Sequence, residues 1–257
     1  MRLIQLYLDQ FLVFVLVLTR VSGLVLTAPI FGSRSVPVRV RALLAVGLAL
    51  IIAPLQASPG VAAADGFHLG LMLGREVLLG LSLGLAVMIV FTGLQLSGQV
   101  IGQMAGVSLA EVVDPTFEES VPVFAQLLDL VALCVFLATG GHRHVLGALL
   151  DTFRARPPGV DDIPPGLVAA VTQLVSESLA VGFRAAAPVM VALLLAAVIL
   201  GLISRTLPQL NVLVLGFSIN VLVLLAVLSA SLGGAVDVAC VSTHDMIEAI
   251  RQVWVAR

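Results

Sequence analysis

VLLGLSLGLAVMIVFTGLQLSG, the stretch from Val77 to Gly98, contains no charged residue. As a helix rising about 1.5 Å per residue, it is long enough to cross a hydrocarbon core of about 30 Å. Within it, GLSLG from Gly80 to Gly84 has the spacing of a hydrolase nucleophile elbow. That chemistry needs a strained strand-to-helix turn to expose the serine, whereas this run is helical from end to end. Gly80 and Gly84 therefore read as a small-xxx-small face that admits a closely approaching helix, and Ser82 does not read as a nucleophile.

The chain on either side repeats the pattern. Phe11 to Ile30 carries a single charge, Arg20, and Val121 to Thr139 a single charge, Asp129. Leu179 to Ile203 holds Arg184 and Pro188, and Leu210 to Val236 holds Asn211 and Asn220. Ala42 to Ala53, entered through Arg39 and Arg41 and closed by Pro54, is short and reads as a poor independent transmembrane helix. The first run is long for a signal-peptide core and leads into a proline-containing motif, so it reads as retained. The expected fold is an all-α polytopic membrane protein: about six hydrophobic segments, one of them weak, arranged as packed helical hairpins in a single domain, residues 1–257.

Composition agrees. Of the 257 residues 60% are hydrophobic and 11% charged, with a mean hydropathy of +1.16; soluble domains run near ~45–50% and ~25%. A net charge of -2 gives no basic face for nucleic acid, and all 13 cationic side chains are arginine, whose weakly hydrated fork suits fixed, partly buried pairs. Cys134 and Cys240 are far apart and read as small apolar filler. Arginine counts do not give a plain orientation. Placing Arg34, Arg39, Arg41 and Arg205 on one side leaves Arg143, Arg154 and Arg156 on the other.

Between the apolar segments, RARPPGVDDIPPG from Arg154 to Gly166 reads as an irregular loop. At the C-terminal end Met246, Ile247, Ile250, Val253 and Trp254 fall on one helical stripe, an amphipathic tail. His142 and His144 in GHRH lack further metal ligands apart from Asp151 and read as helix-end residues; no metal, cofactor or catalytic residue is expected. The informative charges lie within or beside the apolar spans: Arg20, Asp129, Glu177, Arg184 and Arg205. A charge at the bilayer centre costs roughly 3 kcal/mol or more, so Arg20, Asp129 and Arg184 are expected to find partners, with Arg20–Asp129 one such pair.

The stretch from Gly98 to Pro122, GQVIGQMAGVSLAEVVDPTFEESVP, is richer than a solvated loop requires. Gly98, Gly102 and Gly106 recur at every fourth position and would give a helix a bare stripe. Apolar Met104, Val107 and Leu109 follow, then Glu111, Asp114, Glu118 and Glu119, with Pro115 breaking any helix. A packed or gating loop is the expectation.

TRVSGLVLTAPIFGSRSVPVRVR (Thr19 to Arg41), GQMAGVSLAEVVDP (Gly102 to Pro115), LDLVALCVFLATGGH (Leu128 to His142), LDTF (Leu150 to Phe153) and SRTLPQLNVLVLGF (Ser204 to Phe217) together resemble the FliR family of flagellar type III export-gate proteins, whose injectisome relatives are the SctT-like proteins. The resemblance implies one subunit assembling with FliP-like and FliQ-like subunits, contacted by FlhB-like and fed by FlhA-like proteins. Unfolded polypeptides would pass through the assembly in the bacterial inner membrane, at the flagellar basal body. It implies a FliP-like portion over 1–165 and a FliQ-like portion over 166–257. The channel plug would comprise Gly102, Met104, Gly106, Val107, Leu109, Asp114, Pro115 and Phe117; the assembly motifs would carry Pro29, Pro37, Arg41, Arg205, Pro208 and Gln209. Such a gate contacts membrane lipid, binds no nucleic acid and is not an enzyme. Two alternatives stand beside it. One is an injectisome gate subunit; the other is a secondary transporter of a small solute, using Pro188 or Pro54 to break helices at a midplane site.

Overall fold

In a computed structural model of the chain the described residues are 2–29, 31–32, 36–56, 66–106, 123–159, 166–206 and 212–255, and among them there is no strand. Among the described residues seven helices follow in order: α1 (Arg2–Thr27), α2 (Val38–Ile52) running into a short 3₁₀ turn (Ala53–Leu55), α3 (Gly66–Met104), α4 (Val123–Ala138), α5 (Gly141–Ala155), α6 (Leu167–Thr206) and α7 (Val212–Val255). Five stretches among the described residues are long and apolar enough to cross a membrane: Tyr7–Thr27, Val38–Leu55, Gly66–Met104, Val168–Thr206 and Leu215–Gly234. The broken pair α4 and α5 brings the count to as many as six.

Three sequence expectations change here. The weak second segment is a helix of full spanning length, because α2 begins at Val38 and takes both arginines into its first turn. Pro37 stands at its N-cap, and Arg41 turns back so that Nε and Nη2 both donate to the Val36 carbonyl, at 3.0 and 2.8 Å. The segment too short on its own is α4, with 16 residues. Beyond it lies α5, which hydropathy alone passes over. Its buried Val145, Ala148, Leu149, Thr152 and Phe153 sit at i, i+3, i+4, i+7 and i+8, the stripe of a helix half wrapped in polar residues.

The chain forms two compact units. Unit 1 comprises Met1–Val90, Gly140–Val175 and Thr243–Arg257. Along α1, Val13, Leu16, Val17, Val21, Leu24 and Val25 are buried at helical spacing. Glycine contacts fix the register of α1 against α3. A methyl group on Gly23 would come within 2.9 Å of the Leu81 nitrogen, one on Gly80 would strike the Arg20 carbonyl oxygen, and one on Gly84 would strike the Thr27 hydroxyl. Positions 20, 23 and 27 thus climb α1 as 80 and 84 climb α3, so the two helices run parallel at backbone-to-backbone distance. The close approach expected of Gly80 and Gly84 is what the structure has.

Unit 2 comprises Phe91–Thr139 and Ser176–Ser242. Its core gathers Ile101 and Ala105 of α3, Leu128 of α4, Ala186, Val189 and Leu193 of α6, and Leu224 and Leu228 of α7. The end of α3 runs antiparallel to α4: Phe91 meets Phe136 edge-on at 5.6 Å between ring centroids, and Gly98 lies against Ala125, where a methyl group would sit 2.5 Å from its Cα. A second crossing joins α3 to α6, since a methyl on Gly93 or Gly182 would collide with backbone atoms of Ser178 or Gly93. Within α6 the helix continues through Pro188. Pro54 lies in the 3₁₀ turn after α2, so neither proline opens a mid-span break of the kind a transporter site would use.

Candidate functional site

Two places gather the residues that the sequence marks. The first is a buried charge node in unit 1. The carboxylate of Glu76 accepts from Nε and Nη2 of Arg20, at 2.6 and 3.1 Å, and the two side chains are 3% and 1% exposed. The remaining reach of the guanidinium is also used. Nη1 donates to the Thr152 hydroxyl at 3.4 Å, and Nη1 and Nη2 both donate to the Arg156 carbonyl, at 3.2 and 3.1 Å. The guanidinium carbon stands 4.2 Å from the centroid of the Phe153 ring, a cation–π contact. Glu76 in turn accepts from the backbone N–H of Gly159 at 3.2 Å. Thus α1, α3, α5 and the chain just after α5 meet at one pair of charges.

This corrects the expected Arg20–Asp129 pair: the partner of Arg20 is Glu76. Written beside Arg75 just ahead of an uncharged run, Glu76 looks like a polar flank. Its spacing is the signal that was there to find, because Glu76, Gly80 and Gly84 fall four apart on one face of α3, opposite Arg20, Gly23 and Thr27 of α1. Gly93 and Gly182 are equally unmarked, and Thr152 and Phe153 stand in the sequence only as part of the LDTF motif, with no role assigned. Asp129 is half-buried on α4, and Arg184 is exposed on α6; neither has an ion-pair partner among the described residues.

The second place is the end of α3. Ile101 and Ala105 are buried in the unit 2 core, and Met104 packs on it. The helix stops through a backbone bond from Gly106 N–H to the Gln103 carbonyl, 3.1 Å, with Gly106 at φ 81. That left-handed conformation is routine only for glycine, so Gly106 ends the helix rather than extending a bare stripe. Gly102 has room, its nearest potential contact being the Phe124 ring at 3.8 Å. The chain returns at α4, where Phe124 packs on the same core cluster as Met104. Val107, Leu109, Asp114, Pro115 and Phe117 lie outside the described residues.

Of the motif positions, Pro29 follows the end of α1 half-buried, Pro37 and Arg41 build the entry to α2, and Arg205 is exposed in the last turn of α6. Pro208 and Gln209 lie outside the described residues, as do the side chains of Cys240 and of the Met246, Ile247, Ile250, Val253 and Trp254 stripe. His142 and His144 stand in the first turn of α5. Among the described residues no group of three or more His, Cys, Asp or Glu side chains is placed to hold a metal ion.

A family model described as bacterial export proteins, family 1, matches residues 11–245. The flagellar biosynthetic protein FliR of Escherichia coli (strain K12) is 34% identical over 213 residues, covering 83% of this chain and 81% of that protein. FliR of Caulobacter vibrioides is 31% identical over 88% of this chain and 90% of its own length. The Yop proteins translocation protein T of Yersinia pestis is 30% identical over 67% of each chain.

Proposed function

The chain belongs to the bacterial export proteins, family 1, as a membrane-embedded component of a type III export gate, and on that premise we propose that it is a non-enzymatic gate subunit of the flagellar apparatus. Its place is the bacterial inner membrane, at the base of the flagellum. There it forms the translocation channel with FliP-like and FliQ-like subunits and works with FlhB-like and FlhA-like proteins to pass unfolded polypeptides. The FliP-like portion covers 1–165 and the FliQ-like portion 166–257; these are statements of kinship and differ from the two packing units. The flagellar relatives match over more of the chain than the injectisome relative does, which supports the flagellum over the injectisome.

A closed gate must hold back ions and later admit an extended chain, which asks for deformable apolar material on a fixed base. The observation that carries the reading is the fixed base: the chain leaves at Ala105–Gly106 and returns at Phe124 against one core cluster. Between those two points the sequence supplies apolar Val107, Leu109 and Phe117, and Met104, unbranched and easily repacked, stands at the end of α3. In this reading Gly102, Met104, Gly106, Asp114 and Pro115 belong to the plug together with Val107, Leu109 and Phe117.

Replacing Val107–Phe117 by a short glycine-serine link, which spares the buried Ala105, tests the plug. Vesicles carrying the assembled complex are expected to leak ions severalfold faster than wild type, read by a fluorescent ion indicator. Unchanged conductance together with normal secretion would remove the assignment.

A further inference from the structure

The Arg20–Glu76 pair does more than its own pairing requires. An ion pair that only registered α1 on α3 would be complete with the two bonds between guanidinium and carboxylate. Here both partners also reach the same short piece of main chain, Arg156 to Gly159, from two sides: Arg20 donates twice to the Arg156 carbonyl and Glu76 accepts from the Gly159 N–H. The Arg156 N–H closes α5 by donating to the Thr152 carbonyl at 2.8 Å, and Gly159 turns at φ 87 to present its own N–H. Orphan carbonyls at a helix C-terminus favour a cation, and a buried backbone N–H needs an acceptor. One pair of charges answers both needs.

We propose that Arg20 and Glu76 act as a latch that holds the start of the α5–α6 connector, fixing the point from which the chain departs toward α6. Recognition is through the main chain, so the latch reads the conformation of 156–159 rather than its side chains. The glycine at 159 is required, since its left-handed φ is one that L side chains rarely adopt. The charges are retained for position, because a buried ion pair can be exchanged for well-packed apolar residues without loss of stability.

That last property separates latch from mere stabiliser. The test is hydrogen exchange on the full chain, purified from membranes in mild detergent, comparing wild type with the double variant Arg20→Met, Glu76→Met. The latch predicts exchange in a peptide covering 154–159 that is about tenfold or more faster in the variant, while the amides of α1 and α3 keep their protection. Equal protection of that peptide in the two proteins overturns the proposal, as does loss of protection spread evenly over α1, α3 and the connector. If the double variant does not fold, Arg20→Gln gives the same comparison. Its shorter amide can still donate to Glu76 but loses the Nη1 and Nη2 bonds to the Arg156 carbonyl, so the connector should again exchange faster than the core, and an unchanged connector overturns the latch.

Discussion

At Gly80 a single methyl group has nowhere to go, because the Arg20 carbonyl oxygen lies where it would be built and neither backbone can yield alone. Gly80→Ala is therefore expected to lower the stability of the detergent-solubilised chain by about 1–3 kcal/mol, the usual cost of overpacking a tight contact. Gly74→Ala, with nothing within 4 Å, is the matched control and should be neutral or slightly stabilising. Thermal unfolding of the two proteins side by side checks this. Glu76→Ala has a different cause: it strands the Arg20 guanidinium, whose side chain is 1% exposed, without a counter-charge. A loss of about 3–5 kcal/mol is expected, measured as collapse of the folded fraction in the membrane.

Among the elements, hydropathy located α1, the core of α3, α6 and α7, because their apolar runs are long and interrupted by at most one or two charges. It shortens α3, which begins at Gly66, because Arg75 and Glu76 read as a charged edge although Glu76 is paired with Arg20 inside the fold. It underrated α2 for a similar reason: Arg41 is satisfied by a neighbouring carbonyl and need not end the helix. It passed over α5, whose signal lies in periodicity and not in mean hydropathy. For the candidate site, the glycine stripe Gly98, Gly102 and Gly106 was legible as a pattern. Its three members nevertheless meet a close backbone, open space and a helix stop, and spacing alone does not tell these apart. If α2 spans the membrane, cysteines placed at Val36 and Gln56 should be labelled by an impermeant maleimide from opposite sides. Labelling of both from one side would return α2 to the surface.

For the whole molecule, the unusual quantity is apolar surface left uncovered by the chain itself. In α6 22% of the apolar stretch is buried, and in α7 11%, against 61% in α3. Leu194, Leu195, Val198, Ile199 and Leu202 of α6 and Leu222 and Leu225 of α7 are all exposed. Lipid covers only part of what these helices offer. With 40 and 44 residues they have contour lengths of about 60 Å, roughly twice a hydrocarbon core. In the function proposed here neighbouring gate subunits cover the remainder, so that the hydrophobicity serves as an assembly interface as well as an anchor. Co-expression with FliP-like and FliQ-like neighbours, followed by mild-detergent purification on a tag carried by this chain alone, measures that directly. The account predicts one stable particle containing all three proteins; a solitary chain that carries a small solute across vesicles on its own would contradict it.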